Sequence, residues 1–218
     1  MAQLGLQSLE GFLIPALLVT ADQIAHGLVD VLVIAMLALV GGNEIAECFA
    51  EMKLCAPQPL DAQHRLEAFD CGKPALSDWL HRHARQAQGS GSARTFVVCA
   101  GERVAGYFSL TVGQIDTLEA PERIRRGMGQ YPIPLVILAR LAVDLDYQGQ
   151  GPGFSMLQDA IRYTLSIAEQ AGIRALLTHP IDAEVEAFYR RFGFEPTPGN
   201  ERQLIVLLKD ARRFAGTP

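Results

Sequence analysis

The chain has 218 residues, of which 49% are hydrophobic and 20% are charged, and its formal net charge is -5. This composition is typical of a folded soluble protein and argues against a disordered chain. Six acids and one base fall within the first 55 residues, so the remainder is balanced in charge. Residues 81 to 130 carry three more arginines than acids, which fits a solvated face and an RNA-binding surface equally well.

The first 55 residues form a segment of distinct composition. Its two apolar runs, residues 11 to 20 and 31 to 40, are shorter than the roughly 20 residues that span a bilayer, so we expect no membrane insertion. The stretch from Ala56 to Pro59 marks the change in composition and predicts a domain boundary. Residues 26 to 54 resemble the helical N-terminal segment of an insertion-sequence transposase family, without the acidic core of such an enzyme. A helical hairpin that packs on the main domain or on a partner is the alternative.

The rest of the chain predicts alternating helices and strands. Pro74 to Gln88 has the apolar spacing of an amphipathic helix, and a proline suits its first turn. Two β-branched and aromatic runs joined by Gly101 to Arg103 predict a hairpin. The remaining predicted elements are a strand over 135–144, a helix over 153–170, a strand over 174–179, a helix over 182–191 and a strand over 203–209. This order predicts a mixed α/β (α+β) fold without internal repeats.

A glycine-rich turn lies between the apolar strand and the helix that follows it. Tyr147 to Gly153 contains three glycines in five positions, where backbone N–H groups at a helix N-terminus can approach an anion. The turn lacks the lysine of a phosphate-binding P-loop and the downstream acid of a dinucleotide site. A second segment, Glu186 to Phe194, places aromatic side chains on the next predicted helix.

Taken together, the apolar strand, the Gln-x-x-Gly-x-Gly turn at Gln148 to Gly153 and the segment Phe188-Tyr189-x-x-Phe-Gly-Phe194 resemble the GNAT acetyltransferases. The resemblance covers about residues 57 to 212 and implies the GNAT fold, with a central, mostly antiparallel mixed sheet flanked by helices. Further segments resemble the GNAT toxins of toxin–antitoxin pairs. These segments are Phe69–Leu80, Arg94–Val98, Val104–Leu110, Ile124–Arg126 and Leu138–Val143.

This resemblance implies a binding site for acetyl-CoA as co-substrate. The pantetheine arm is expected to run antiparallel to the strand at Leu141 to Val143, and the glycine turn is expected to cradle the pyrophosphate. The residues assigned to the cofactor are Leu141, Ala142, Val143, Gln148, Gly149, Gln150, Gly151, Gly153 and Phe154. No metal is expected, because His81 and His83 are two residues apart on a helix and face different ways.

Tyr189 is the candidate catalytic acid, as the matching tyrosine is in the family. A phenol with a reference pKa near 10 is protonated at pH 7 and can give its proton to the departing CoA thiolate. The α-amino group of an aminoacyl ester is already partly neutral near pH 7, so the need for a general base is mild. His179, at a predicted strand end, fits either a base or a structural histidine.

Two prolines depart from the family pattern. Pro152 removes one backbone donor from the glycine turn, and Phe154 follows where relatives have a small or basic residue. Pro180 interrupts the strand end before Asp182, where relatives usually continue with alanine. These changes leave open a degenerate toxin that has lost its activity and binds only its partner.

The leading hypothesis is a translation-blocking toxin that acetylates the α-amino group of aminoacyl-tRNA. Arg94, Arg125 and Arg126 are its candidate contacts for tRNA phosphates near the acceptor end, although solvated arginines would fit the same positions. The resemblance further implies a ribbon-helix-helix antitoxin, contact with DNA only through that antitoxin, and possible homodimers. The absence of CxxC pairs argues against zinc and disulfide frameworks and favours the cytoplasm. The alternative within the family is an acetyltransferase of a small amine or a protein N-terminus.

Overall fold

The helical segment before the first long strand differs from its prediction. In the computed structural model, which describes residues 54 to 215, helix α1 spans Pro74–Arg82 and helix α2 spans Ala84–Ser90. The single predicted helix is therefore wrong at His83, where φ of -122° interrupts the helical backbone. Gly91, with φ of 73°, ends α2 in the left-handed conformation that glycine adopts without a steric penalty.

Strands and helices then alternate through the described residues. The strands are β1 (Gln58–Pro59), β2 (Arg94–Ala100), β3 (Arg103–Ile115), β4 (Ile133–Val143), β5 (Ala175–Thr178), β6 (Glu195–Thr197) and β7 (Asn200–Leu207). The later helices are α3 (Glu122–Arg125), α4 (Pro152–Gln170), α5 (Ala183–Arg190) and α6 (Leu208–Ala211). Short 3-10 turns cover Leu145–Tyr147 and Arg212–Phe214.

Within residues 54 to 215 these strands form one seven-stranded sheet in the order β1-β2-β3-β4-β5-β7-β6. Only β4 and β5 pair in parallel, and α4 provides the crossover that a parallel pair requires. The predicted hairpin of β2 and β3 is confirmed. The predicted fold class, a mostly antiparallel sheet flanked by helices, is confirmed as well.

Strands β4 and β5 separate halfway along β4. The two pair from Leu135 with Ala175 to Leu138 with Thr178, whereas β4 continues to Val143 along β3. A bulge lies at the point of separation, because Leu110 of β3 pairs with Leu138 and the preceding residue of β3 pairs with Arg140. Bulges bend a strand and re-aim its side chains. The last residues of β4 therefore have an edge that is open towards β5.

Apolar side chains cover both faces of the sheet. On one face Phe108 and Leu138 pack with Met156 of α4 and with Tyr189 of α5. On the other face Tyr107 packs against Leu80 of α1, together with Phe69 from the preceding loop. The open end of β4 lies between these two covered faces and is reached from α4, α5 and the loop before α1.

The predicted helical extension and its transposase resemblance lie outside the described residues, apart from Leu54 and Cys55. Leu54 forms a bridge with Ala100, and the N–H of Cys55 donates to the carbonyl of Cys99 at 2.8 Å. The described residues, 54 to 215, belong to one compact unit. None of the helices between residues 54 and 215 is long and apolar enough to cross a membrane.

Candidate active site

A cleft opens beside the end of β4 and consists of two adjoining cavities. The first, here called the glycine-turn cavity, has a volume of about 580 Å³ and is lined by the turn before α4. The second, here called the Tyr189 cavity, has a volume of about 330 Å³ and extends along β4 to the end of β5. The two cavities share the lining residues Val143, Gln148, Gly153, Phe188 and Arg191.

The turn before α4 borders the glycine-turn cavity with its backbone. Gly149 and Gly151 have φ of 76° and 97°, values that favour glycine. No hydrogen bond within residues 54 to 215 uses the N–H of Gly149, Gln150, Gly151 or Gly153. Three of these N–H groups belong to lining residues, Gly149, Gly151 and Gly153, and such donors in the turn that leads into α4 are suited to binding a phosphate. Pro152 lies at the first helical position, where its ring fits, so it removes one donor without breaking the turn.

The two glutamines of the turn have structural partners. The Nε2 of Gln148 donates to the carbonyls of Val143 at 2.9 Å and Cys71 at 3.0 Å, so both of its amide hydrogens are used inside the protein. Gln150 donates to the carbonyl of Asp146 at 3.1 Å, and its side chain is not part of the cavity lining. Among the predicted cofactor residues of this turn, the glycines and Phe154 line the cavity, and Gln148 fixes the turn to the end of β4.

The predicted strand segment Leu141 to Val143 lines the Tyr189 cavity. One edge of this segment pairs with β3, and the edge towards β5 has no strand partner among the described residues. An extended ligand can add to such an edge through main-chain hydrogen bonds, as an additional strand does. At one end the cleft thus has N–H hydrogen-bond donors that can bind a phosphate. The open edge of β4 extends from there towards β5.

Tyr189 lies at the inner end of that edge. Its side chain on α5 is 3% exposed, packs against Phe188 and Phe194, and lines the cavity. Burial raises the pKa of Tyr189 to about 12, and a hydrogen bond with Thr178 acts in the opposite direction. Asp182 caps α5 by accepting from the N–H of Val185 at 2.9 Å, which fixes the start of the helix that carries the tyrosine.

Comparison with known proteins identifies the family. A tRNA-acetylating toxin of Mycobacterium tuberculosis (strain ATCC 25618 / H37Rv) is 38% identical over 161 residues, which are 74% of this chain and 96% of that protein. Residues 91 to 196 match the family described as the acetyltransferase (GNAT) domain. The chain belongs to the GNAT acetyltransferase family.

Solved structures agree with this assignment. The toxin AtaT in complex with acetyl-methionyl-tRNAfMet has a TM-score of 0.69 and 27% identity, and the match covers 75% of this chain and all of that one. An AtaT variant with tyrosine replaced by phenylalanine, bound to the C-terminus of the antitoxin AtaR and acetyl-CoA, has a TM-score of 0.64 and 28% identity. That match covers 74% of this chain and 97% of the AtaT chain.

Two arginines of this GNAT cleft were missed in the sequence. Arg191 lines both cavities, and Arg140 lines the Tyr189 cavity with its guanidinium 4.0 Å from the ring centre of Trp79. Burial lowers the pKa of Arg140, yet an arginine remains protonated at neutral pH. The sequence did contain an indication that Arg140 has a special role, because Arg140 is the single charged residue within the apolar strand β4.

His179 and Lys73 also border the Tyr189 cavity. His179 is exposed at the end of β5, and its Nε2 lies 3.2 Å from Nε2 of Gln203. Lys73 forms an ion pair of 2.8 Å with Asp182, which links the loop before α1 to the start of α5. Pro180 is not among the lining residues. Within residues 54 to 215, no cluster of histidines, cysteines and acids is placed to hold a metal ion.

The three predicted tRNA-binding arginines lie outside the cleft. Arg94 is exposed at the start of β2, opposite Leu110. Arg125 and Arg126 are exposed on and after α3, and the carbonyl of Arg126 accepts from Arg174, just before β5. Strand β4 has eleven residues, so its two ends are roughly 30 Å apart, and α3 lies at the end away from the glycine turn.

Proposed function

We propose that this chain transfers the acetyl group of acetyl-CoA to the α-amino group of aminoacyl-tRNA. The observation that carries the proposal is the single cleft in which free glycine N–H groups, the open edge of β4 and Tyr189 follow one another. The relatives add the acceptor, since one is a tRNA-acetylating toxin and another was solved with acetyl-methionyl-tRNAfMet.

The residues present fit acetyl-CoA. The glycine N–H groups of the turn that leads into α4, which have no partner among residues 54 to 215, would hold its pyrophosphate, and the edge of β4 at Leu141 to Val143 would bind its pantetheine arm. When bound, acetyl-CoA supplies an acetyl thioester at the inner end of this path. Arg191, which lines both cavities, adds a positive charge beside the phosphates. Gln148 acts indirectly, because it holds the turn against the end of β4.

Tyr189 would assist the breaking of the bond between acetyl carbon and sulfur. Its pKa of about 12 keeps the hydroxyl protonated, and that hydroxyl can donate a hydrogen bond to the departing sulfur. Full proton transfer to a thiolate with a reference pKa near 8.5 would cost on the order of 5 kcal/mol. Donation of the phenol proton to the CoA sulfur would therefore be coupled to amide formation, in which the attacking amine loses a proton that would restore the phenol.

The remaining parts of the proposal concern partners. Arg94 on β2 and the pair Arg125 and Arg126 near α3 are exposed and would contact tRNA phosphates. The distance of α3 from the cleft favours contacts away from the acceptor end. We further propose that the chain binds a ribbon-helix-helix antitoxin and contacts DNA only through that antitoxin. It would form homodimers and act in the cytoplasm. The proposed division of the chain is an apolar N-terminal extension over residues 1 to 55 and a GNAT domain over residues 57 to 212.

Calorimetric titration of the purified chain with acetyl-CoA, followed by transfer of labelled acetyl to charged total tRNA, tests this function. We expect binding with a stoichiometry of one per chain and label that is released from tRNA by mild alkali as acetyl-amino acid. Binding without transfer to tRNA would redirect the search to a small amine or a protein N-terminus. Absence of binding would favour a degenerate toxin, with Pro152 as the first residue to revert.

A further inference from the structure

Arg140 lies at the bulge of β4, where its side chain packs on an aromatic ring. Its guanidinium lies over Trp79 of α1, and the indole stacks in turn on Tyr107, with ring centres 6.0 Å apart and planes 16° apart. Tyr107 is fully buried, and its hydroxyl donates to the carbonyl of Leu76 at 2.8 Å. The guanidinium thus lies against a pair of stacked aromatic rings that is hydrogen-bonded to the main chain of α1.

Among the described residues, the donors of Arg140 have no protein partner. Within residues 54 to 215 the guanidinium of Arg140 contacts the ring of Trp79 and forms neither an ion pair nor a hydrogen bond, although it lines the Tyr189 cavity. The nearby cation Lys73, by contrast, is paired with Asp182. A guanidinium has five N–H donors in a planar fork that matches phosphate oxygens. The Tyr189 cavity thus contains a guanidinium that contacts Trp79 on one side and, among residues 54 to 215, has no polar partner on the other.

The direction of β4 places Arg140 next to Leu141, where the proposed path of the cofactor along the strand would end. A cofactor that follows the strand from the glycine turn passes Val143 and then Leu141, and Arg140 is the next residue. Arg140 lines the Tyr189 cavity and is absent from the lining of the glycine-turn cavity, where the cofactor phosphates would bind. The side of the thioester opposite the cofactor is the side from which the amine must approach.

We propose that Arg140 binds a phosphodiester at the 3′ end of the acceptor RNA and so positions the α-amino group against the thioester. The inference rests on the proposed function. In an aminoacyl ester the amino acid has no free carboxylate, so the anions nearest to the amine are the phosphodiesters of the terminal nucleotides. Arg140 is thus a positioning residue that distinguishes an RNA-linked amino acid from a free amine.

The test compares two acceptors that differ in their phosphates. Steady-state kcat/KM is measured with charged total tRNA and with an equimolar mixture of amino-acid methyl esters, for the wild type, Arg140→Gln and Arg140→Lys. Arg65→Gln is the matched control, because Arg65 is exposed, paired with Glu102 and absent from the cleft lining. Acetyl-CoA affinity and the melting temperature of each variant check the fold and the cofactor site.

For Arg140→Gln we expect kcat/KM with charged tRNA to fall by about 10- to 100-fold, the usual effect of losing a charged hydrogen bond. With the methyl esters we expect a change of less than about 2-fold, since they carry no phosphate. A plot of log kcat/KM against log salt concentration for tRNA should become less steep by about 0.7, the value for one contact with single-stranded RNA. Arg140→Lys should keep the wild-type slope and recover part of the rate.

Equal losses on tRNA and esters, or an unchanged salt slope in Arg140→Gln, would overturn the inference and leave Arg140 as a structural support for Trp79. A wild-type chain that acetylates the esters and leaves charged tRNA unmodified would instead overturn the proposed function. The two failures are therefore distinguished by the wild-type measurement alone.

Discussion

The two cavities of the cleft are built in different ways. The glycine-turn cavity owes its donors to consecutive backbone N–H groups from Gly149 to Gly153, with one local interruption at Pro152. The Tyr189 cavity is lined by side chains from α1, β4, β5 and α5, which lie as far apart in sequence as Cys71 and Arg191. The proposed phosphate site is thus encoded by one local segment, whereas the proposed catalytic site requires distant segments to be packed together.

Replacing Tyr189 by phenylalanine tests the side-chain cavity and should give the largest effect. We expect kcat to fall by about 100-fold or more, because the departing sulfur loses its hydrogen-bond donor. Acetyl-CoA affinity should change by less than about 2-fold, because the ring still fills its site beside Phe188 and Phe194. Tyr163→Phe on α4 is the control, since Tyr163 is not in the cleft lining. Equal loss in both variants would remove Tyr189 from the mechanism.

Replacing Gly151 by alanine tests the backbone cavity. The residue has φ of 97°, which costs an alanine about 1–2 kcal/mol and pulls the N–H groups out of line. We expect the dissociation constant for acetyl-CoA to rise about 10-fold, with a lower melting temperature, as measured by calorimetry. Gly172→Ala is the matched control, because an added Cβ there meets open space and its φ is not in the left-handed region. Unchanged affinity in Gly151→Ala would place the phosphates elsewhere.

Gln148→Ala tests the link between the two cavities. Loss of the hydrogen bonds to Cys71 and Val143 should lower the free energy of unfolding by about 1–2 kcal/mol. We also expect acetyl-CoA to bind about 5-fold more weakly, since the turn is released from β4. Gln150→Ala removes a single exposed hydrogen bond, to Asp146, and should leave both quantities near their wild-type values. Denaturant unfolding and calorimetry give the two measurements.

A change of pH between 8.5 and 10 should have the smallest effect on kcat, because Tyr189 does not titrate in that range. Since burial raises the pKa of Tyr189 to about 12, the active protonated phenol persists as pH rises past 10. We expect kcat with an amide-linked aminoacyl-tRNA to stay constant within about 2-fold between pH 8.5 and 10. The stability that this tyrosine contributes is present below pH 10 and is lost as pH rises towards 12. Ultraviolet titration of wild type against Tyr189→Phe locates the pKa, and a value near 10 would contradict its burial.

Local sequence patterns predicted the elements that frame the cleft. The hairpin of β2 and β3, strand β4 and helices α4 and α5 were found within a few residues of their bounds, because their apolar periods are long and uninterrupted. The strand predicted over 203–209 instead runs Asn200–Leu207 and is followed by α6. Its partner β6 was missed, because a three-residue strand containing Pro196 has no periodic signal and a proline is unusual in a strand.

Among the candidate site residues, the glycines of the turn and Tyr189 were recognisable from their motifs. The residues that Gln148 and Arg140 contact could not be predicted in this way. Gln148 was assigned to the cofactor by its place in the turn, yet its amide binds the carbonyl of Cys71, a residue from another part of the chain. Arg140 stood out only as a charge in an apolar strand, and Trp79 lies on a helix distant in sequence.

The sequence by itself determined the family motif, the glycine-rich turn before α4 and the helix that carries Tyr189. These depend on local backbone conformation and on periodicity, which neighbouring residues set. Only the tertiary structure decided that β4 leaves β5 after Leu138, that Tyr189 is buried enough to have a raised pKa, and that Arg140 lies over Trp79. Burial and side-chain contacts between distant segments depend on how the sheet and helices pack, and no local pattern contains that information.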